Sequence, residues 1–384
     1  MIHKLPLARL GVVGGGQLAR MLAPACNAHN VSLTILDPEP LCPAGQVSSH
    51  QIEGALHDPA ALEALCDDSD IITFDLEDVG ADILMTLSNR GKKMVPSPKA
   101  VQLIQNKFKQ KKHFQTYEIP TSPFIGLSEA ADFSTVQAFG LPCVQKANIG
   151  GYDGRGVHVI RSKEDWSKRL RVPTFIEEFV PNSIELAVMV ACRASGEMVS
   201  YDPVEMVVNP KLNLLDYLLA PARIDLETAK KAQLLAEQTV RSFGTAGLFG
   251  VEFFLTGEGD LLVNEIAPRA HNSGHHTIEA CVTSQFENQL RACLDLPLGS
   301  TKLRGHALTI NLVGEEGFSG APVIDGLDAL CELEDVHVHL YGKSHCRPGR
   351  KMGHVTLIGV DSEMLISRLQ SFQNRLTIRG EYPL

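Results

Sequence analysis

Glu252 and Glu265 stand in two otherwise apolar runs, GVEFFL and LLVNEI, joined by the turn TGEGD. A carboxylate left unpaired in an apolar strand is costly, so each of these acids needs a partner. If Leu255 faces Leu261 across the turn, Glu252 lies opposite Asn264, with Glu265 one step along. Oxygen ligands on adjacent strands suit Mg²⁺, which takes one or two carboxylates and completes its shell with phosphate and water. The plainer reading is a solvent-facing acid on an alternating strand. A glycine loop nearby favours the metal.

That loop is Gly150-Gly-Tyr-Asp-Gly-Arg-Gly156, set between two strands with Lys146 just upstream. Its glycines let backbone N–H groups curl around an anion, and Arg155 adds charge. A hairpin tip alone requires less. No G-x-x-x-x-G-K-[ST] run occurs, so this is not the phosphate loop of P-loop NTPases. After the second acid comes APRAHNSGHH, where Arg269 and His271 are placed to hold an anion or shuttle a proton. His271, His275 and His276 make a poor zinc set, because glycine interrupts them and no carboxylate or thiol stands at ligand spacing. His275 and His276 read as the start of the next helix. Farther on, Lys343, Arg347, Arg350 and Lys351 gather in YGKSHCRPGRKMGH, either an anion site or a solvated basic loop.

A third constellation lies at the start. Gly14-x-Gly16-x-x-Ala19 follows a strand and opens a helix, and the next strand, VSLTILD, ends on Asp37. That layout is the fingerprint of dinucleotide-binding folds, whose helix N-terminus favours an anion and whose acid takes the ribose. Read by itself it names NAD, through an NAD-dependent dehydrogenase or sensor. That reading leaves the second glycine loop, the paired acids and RPGRKMGH without a role.

The elements that must position these groups change character along the chain. Short apolar strands alternate with helices to about residue 105, which implies a parallel sheet with ligands outside the strand carboxyl ends. Gly14 to Gln17, Asp37, Asp75 and Glu77 then share one rim. Ser97 and Pro98 start a helix with Val101, Ile104 and Phe108 on one face. Beyond the proline-rich EIPTSPF, strands including PTFIEEFV and ELAVMVACR make a small antiparallel part. Asp225 caps a helix that Gly244 stops, a hairpin carries the paired acids, and HHTIEACVTSQFENQLRACLDLP reads as one helix. Short strands return from about residue 301.

At 384 residues the chain is long enough for two or three domains. Apolar residues at 44% and charged residues at 21% describe a globular, soluble protein, and no apolar run approaches a membrane span. The start shows no secretory pattern. Nine cysteines without a C-x-x-C pair fit reduced thiols and a cytoplasmic setting. A net charge of −10 argues against a nucleic-acid coat while leaving room for small anionic substrates.

The order Lys146, GGYDGRG, EEFV followed by Glu185, Glu252 and NEIAPRAHNSGHH resembles the ATP-grasp enzymes. Within them it is similar to the ATP-dependent 5-(carboxyamino)imidazole ribonucleotide synthases, from GGGQLARM through SQFENQLRA to YGKSHCRPGRKMGHV. The resemblance implies an ATP-grasp fold, mixed α/β and α+β. Its parts are an N-terminal Rossmann-like domain (1–105), an ATP-grasp domain (106–300) with a glycine-rich lid at about 120–180, and a small β-rich C-terminal domain (301–384). It also implies a homodimer.

ATP is then the co-substrate. Lys107 and Lys146 meet the phosphates, and Gly151, Tyr152, Asp153, Gly154, Arg155, Gly156 and Val157 close over them. Glu177, Glu178, Phe179 and Val180 meet the adenine, Glu185 the ribose, and Asn209 and Asn264 complete the nucleotide site. Glu252 and Glu265 hold Mg²⁺, with Mn²⁺ as a substitute, and neither biotin nor NAD is needed. Arg269, His271 and Lys343, with Arg155, serve bicarbonate and the transferring group. Gly16, Gln17, Leu18, Glu77, Tyr152, Asp153, Lys343 and Arg350 surround 5-aminoimidazole ribonucleotide.

The implied reaction carboxylates the exocyclic amine of that ribonucleotide, giving ADP and phosphate through carboxyphosphate, in purine biosynthesis. The alternative is another ATP-grasp purine ligase, such as formate-dependent glycinamide ribonucleotide transformylase. Three positions depart from the family pattern: Lys107 where an arginine is common, Asn209 near a usual histidine, and Asp75 for a glutamate. The opening glycine turn becomes a site for one phosphate beside Gln17, and Asp37 an ordinary strand-end acid.

Overall fold

The computed structural model describes residues 5, 7–128, 130–151, 156–209, 214–372 and 376–384. The N-terminal unit runs β1 (Ala8–Val13), α1 (Gln17–Ala28), β2 (Val31–Asp37), β3 (His50–Glu53), α2 (Pro59–Asp68), β4 (Ile71–Phe74) and α3 (Ala81–Asn89). Its strands form a parallel sheet in the order β3-β2-β1-β4. The near-continuous apolar runs of β1 and β4 follow from helices covering both faces.

Two short helices follow, α4 (Pro98–Gln105) and α5 (Lys107–Thr116). Ser97 caps α4 through its side chain, with Pro98 in the first turn, as its sequence requires. The single helix expected through Phe108 is instead broken at Asn106, whose extended backbone and side-chain bond to the Lys109 N–H make it the cap of α5. Lys107 thereby starts a helix of its own.

A small unit holds β5 (Phe124–Gly126), α6 (Phe133–Phe139), β6 (Cys143–Ala147), β7 (Val157–Ile160), α7 (Lys163–Ser167) and β8 (Thr174–Glu178), its antiparallel sheet ordered β5-β8-β6-β7. The body then supplies β9 (Ile184–Cys192), β10 (Met198–Ser200), β11 (Val204–Asn209), β12 (Leu214–Ala220), α8 (Leu226–Ser242), β13 (Gly247–Leu255) and β14 (Leu261–Ala267). ELAVMVACR, expected in the small part, is β9, and it pairs with β13 and β11 inside the large sheet. Burial on both faces explains its unbroken apolar run. Leu186, Val188 and Val190 pack with residues of α8, while Met189 and Ala191 join the core of α1 and the next helices. Asp225 caps α8 from its side chain, as expected.

The stretch read as one helix from His275 is two, α9 (Thr277–Ala280) and α10 (Gln285–Leu294), because Cys281 leaves α9 in extended conformation and Ser284 caps α10. The remainder is β15 (His306–Val313), β16 (Phe318–Asp325), α11 (Leu327–Cys331), β17 (Val336–Leu340), β18 (Lys351–Gly359), α12 (Ser362–Phe372) and β19 (Thr377–Pro383). Strands β15, β18 and β17 continue the body sheet in the order β14-β13-β9-β11-β12-β15-β18-β17, so one sheet crosses the junction near residue 301. Helix α1 packs on α10, and a shared core of Leu22, Cys26, Leu248, Phe286 and Leu290 seats the N-terminal sheet on the body. No helix among the described residues is long and apolar enough to cross a membrane.

Candidate active site

The β13–β14 hairpin sets the centre. Its register pairs Val251 with Ile266 and Glu252 with Glu265, then shifts so that Phe253 pairs with Val263. Asn264 is the extra residue of a β-bulge, and the two carboxylates stand directly opposite each other. The register counted back from the turn placed Glu252 opposite Asn264; one inserted residue overturns it, and bulges commonly re-aim side chains in this way. Burial pushes the Glu252 carboxyl above its ordinary range, and the charges of Glu265 and Glu185 push it the same way. Burial acts likewise on Glu265, but Lys107 and Lys146 outweigh it and hold that carboxyl low. Glu185, on β9, is also raised by burial.

An acidic cluster of this kind is built for a cation. Lys107 already supplies one, ion-paired with Glu265. Among the described residues no set of three or more His, Cys, Asp or Glu side chains is arranged to hold a metal ion. Two facing carboxylates nevertheless fit the divalent ion expected here, which leaves most of its shell to phosphate and water.

The cationic side comes from two elements, β6 and α5. Lys146, near the end of β6, lies 2.5 Å from Glu177 Oε1 and donates to Asn264 Oδ1 at 2.7 Å. The other Glu177 oxygen lies 2.8 Å from Lys111 Nζ on α5. Lys107 anchors the start of α5 through its N–H, which donates to Asn148 O at 2.8 Å. Glu177 therefore spends its carboxylate on two lysines, and the strand expected across Glu177 to Val180 ends at Glu178. Phe179 lies under the Arg161 guanidinium at 5.8 Å, and Val180 O accepts from Ser183 Oγ.

Arg269 and His271 sit beside this corner. Arg269 Nε donates to Glu77 Oε2 at 2.7 Å, and this partner holds the buried Glu77 carboxyl low against the effect of burial. Burial pushes the His271 imidazole down to about 4, helped by Arg269 and Lys351, so it is neutral near pH 7. Its Nδ1 lies 2.8 Å from Ser273 Oγ and 3.4 Å from the Ser273 amide nitrogen, and its Nε2 lies 3.3 Å from Glu252 Oε1. Gly250 makes room for the ring, since a Cβ there would lie 2.9 Å from His271 Cβ.

At the opening glycine turn, Gly14 has φ +94°, and a Cβ there would strike Leu76 at 2.2 Å. Asp37 is more than a strand-end acid: it accepts from the Gly15 N–H at 2.8 Å and the Glu39 N–H at 2.9 Å. Asp75 accepts from Gly16 N–H at 3.1 Å and Ala19 N–H at 2.6 Å. The expected phosphate donor Gly16 is thus already engaged, which leaves the Gln17 and Leu18 amides for an anion at this helix start.

The C-terminal loop reaches the same rim. Lys343 Nζ donates to Lys351 O at 2.6 Å and stands 5.6 Å from the Tyr341 ring centre. Arg350 donates to His345 O and lies 3.9 Å from Glu39, which also accepts from Ser344 Oγ at 2.8 Å. Gln46 donates to Gly342 O at 2.7 Å, tying the N-terminal unit to the C-terminal loop. His275 and His276, read as a helix start, are buried before α9; the His275 ring lies 4.6 Å from that of His354 on β18.

Tyr152, Asp153, Gly154, Arg155 and the Asn209 side chain lie outside the described residues. Gly151 and Gly156 flank residues 152–155, Val157 opens β7, and the Gly156 carbonyl accepts from the Ala147 N–H at 2.8 Å. The sequence reading missed Lys111. The available signal was its place one helical turn after Lys107, which puts both lysines on one face.

Residues 7–105 match the ribonucleotide synthetase preATP-grasp domain, 112–286 the ATP-grasp domain, and 307–368 the phosphoribosylaminoimidazole carboxylase C-terminal domain. An N5-carboxyaminoimidazole ribonucleotide synthase of Synechococcus elongatus is 38% identical over 92% of this chain and 90% of its own length. The crystal structure of N5-carboxyaminoimidazole ribonucleotide synthetase from Thermotoga maritima superposes with TM-score 0.91 at 41% identity, covering 97% of this chain and 100% of that one. That of N5-carboxyaminoimidazole synthase from Aspergillus clavatus, in complex with ADP and 5-aminoimidazole ribonucleotide, gives TM-score 0.87 at 32% identity, covering 96% and 98%.

Proposed function

The chain belongs to the N5-carboxyaminoimidazole ribonucleotide synthase family of ATP-grasp ligases, and from that premise we propose the following course for its reaction. A bicarbonate oxygen attacks the γ-phosphorus of ATP, ADP leaves, and carboxyphosphate forms. The exocyclic amine of 5-aminoimidazole ribonucleotide then attacks the carboxyl carbon, or CO₂ released from it; phosphate leaves and the amine loses a proton. Bicarbonate is a poor electrophile, and phosphorylation supplies its leaving group.

Lys146 and Lys107 offset phosphate charge, with Lys107 moving from Glu265 onto the nucleotide. Glu252 and Glu265 would hold Mg²⁺, which when bound offsets charge on the transferring phosphoryl group. Arg269, the neutral His271 and Lys343 orient bicarbonate. The Gln17 and Leu18 amides, with Arg350, take the ribonucleotide phosphate. The acyl phosphate must be kept from water until the amine captures it. The proposed contacts of Tyr152, Asp153 and Arg155 rest on the family resemblance.

The observation that carries this reading is the meeting of Lys107, Lys146 and the facing Glu252–Glu265 pair on one bulged hairpin, with Arg269 and His271 beside it. The test is ADP release with ATP and Mg²⁺, comparing bicarbonate plus 5-aminoimidazole ribonucleotide with formate plus glycinamide ribonucleotide. Stimulation by the imidazole substrate is expected; stimulation by the glycinamide substrate alone would overturn the assignment. The same resemblance carries a homodimer, which light scattering on the purified chain checks against a monomer mass.

A further inference from the structure

We propose that Lys111 is a positioning residue that acts through Glu177 to hold Lys146 poised for the ATP phosphates, an inference that rests on the nucleotide role of Lys146. Lys111 is 2% exposed and lies at the meeting of four segments. Its Nζ is 2.6 Å from Thr121 Oγ1, 3.4 Å from Val263 O and 2.8 Å from Glu177 Oε2. Val263 O also accepts from Thr121 Oγ1 at 2.7 Å, and Val263 immediately precedes the bulged Asn264. One ammonium therefore joins α5, the approach to the small sheet, strand β8 and the start of the bulge.

The consequence for Lys146 follows from counting donors. An ammonium has three protons and no acceptor. Lys146 directs one to Asn264 Oδ1 and is ion-paired with Glu177 Oε1 at 2.5 Å, and with both contacts kept a donor remains for a ligand. Glu177 is itself 2% exposed, so its second oxygen has Lys111 as its counterion within the protein interior. Without Lys111 that oxygen has two ways to be satisfied. The carboxylate turns both oxygens onto Lys146, withdrawing the free donor, or it takes a proton and loosens its hold on Lys146. Either change misplaces the phosphate-binding ammonium.

Charge points the same way. Lys111, Glu177 and Lys146 together carry one surplus positive charge, aimed at a site for a polyanion. Removing Lys111 leaves a neutral pair. Burial lowers the affinity of the Lys111 ammonium for its proton, and Glu177 opposes that effect.

The test uses the full-length protein and ADP, whose binding needs neither bicarbonate nor the ribonucleotide, so failure of the reaction assignment does not mimic failure of this proposal. Lys111→Met is expected to weaken ADP binding by calorimetry about tenfold. In turnover, KM for ATP rises by a similar factor while KM for the ribonucleotide stays within about twofold. The double variant Lys111→Met/Glu177→Gln is decisive. If Lys111 acts through Glu177, adding Lys111→Met to Glu177→Gln changes ADP affinity by less than about twofold. Multiplying effects in the double variant would overturn the proposal. So would a lowered melting temperature with unchanged ADP affinity, or KM values that rise together. Should Lys111→Met fail to fold, Lys111→Gln makes the same comparison with a neutral donor in place of the ammonium.

Discussion

The opening glycine turn and the bulged hairpin are both polar corners lined by acids, and they satisfy those acids in opposite ways. At the turn, Asp37 and Asp75 accept backbone N–H groups of Gly15, Gly16 and Ala19, all within the N-terminal unit. At the hairpin, Glu265 meets Lys107, Glu252 faces His271, and Glu177 bridges two lysines, with partners drawn from distant parts of the chain. Backbone donors cannot leave, so the turn is a fixed cradle with only the Gln17 and Leu18 amides to spare. Side-chain cations can be exchanged, so the hairpin is a set of ion pairs that a charged ligand can replace. The first kind of site shapes a ligand's seat; the second neutralises its charge.

The difference can be broken most sharply at the hairpin. Glu265→Gln removes the acid that pairs with Lys107 and is proposed to hold the metal, and ADP formation should fall by about 10³ or more while thermal unfolding still shows a folded protein. Near-normal turnover in that variant would sink the metal-ligand proposal. Chelation with EDTA should likewise stop ADP release, and added Mg²⁺ or Mn²⁺ should restore it. Arg269→Ala is next in size. It leaves Glu77 without its buried counterion, and kcat/KM for bicarbonate should fall about 10²-fold; an unchanged bicarbonate dependence would remove Arg269 from that role.

The turn should respond in stability more than in chemistry. Asp75→Asn can keep one of two charge-assisted bonds, so urea unfolding should show a loss of about 1–2 kcal/mol, with KM for ATP unchanged. A large rise in KM for ATP would mean that the two corners are coupled. The smallest effect is expected from Gln46→Ala, which cuts the tie to Gly342 O. The same side chain also bonds Leu41 O and Arg20, and exposed bonds of this kind contribute about 0.5–1 kcal/mol each, so KM for the ribonucleotide should rise by only about two- to threefold.

Much of this was legible in the chain because it is local. Ser97, Asp225 and the alternating N-terminal segments obey capping and periodicity rules that act over a few residues. Break points were harder to see. Asn106 interrupts what reads as one apolar helical face, and Ser284 starts a new helix inside another such stretch, because a polar residue is compatible with both a helix surface and a cap. The order of strands also escaped. ELAVMVACR reads as a strand anywhere, and only its pairing with β13 and β11 places it in the body sheet.

Residue types along the chain determined that acids, lysines and glycines for nucleotide chemistry were present, and their order carried the family resemblance, because identity and spacing are properties of the chain itself. Tertiary structure decided who meets whom. The bulge at Asn264 turned Glu252 to face Glu265, since a hairpin counted from its turn carries no mark of an inserted residue. Packing of α5 against β8 and β14 gave Lys111 its place, since a lysine inside a polar, basic helix looks solvated until the strands that bury it are known. Contacts between distant residues depend on how the elements pack, and packing is not written in any one segment.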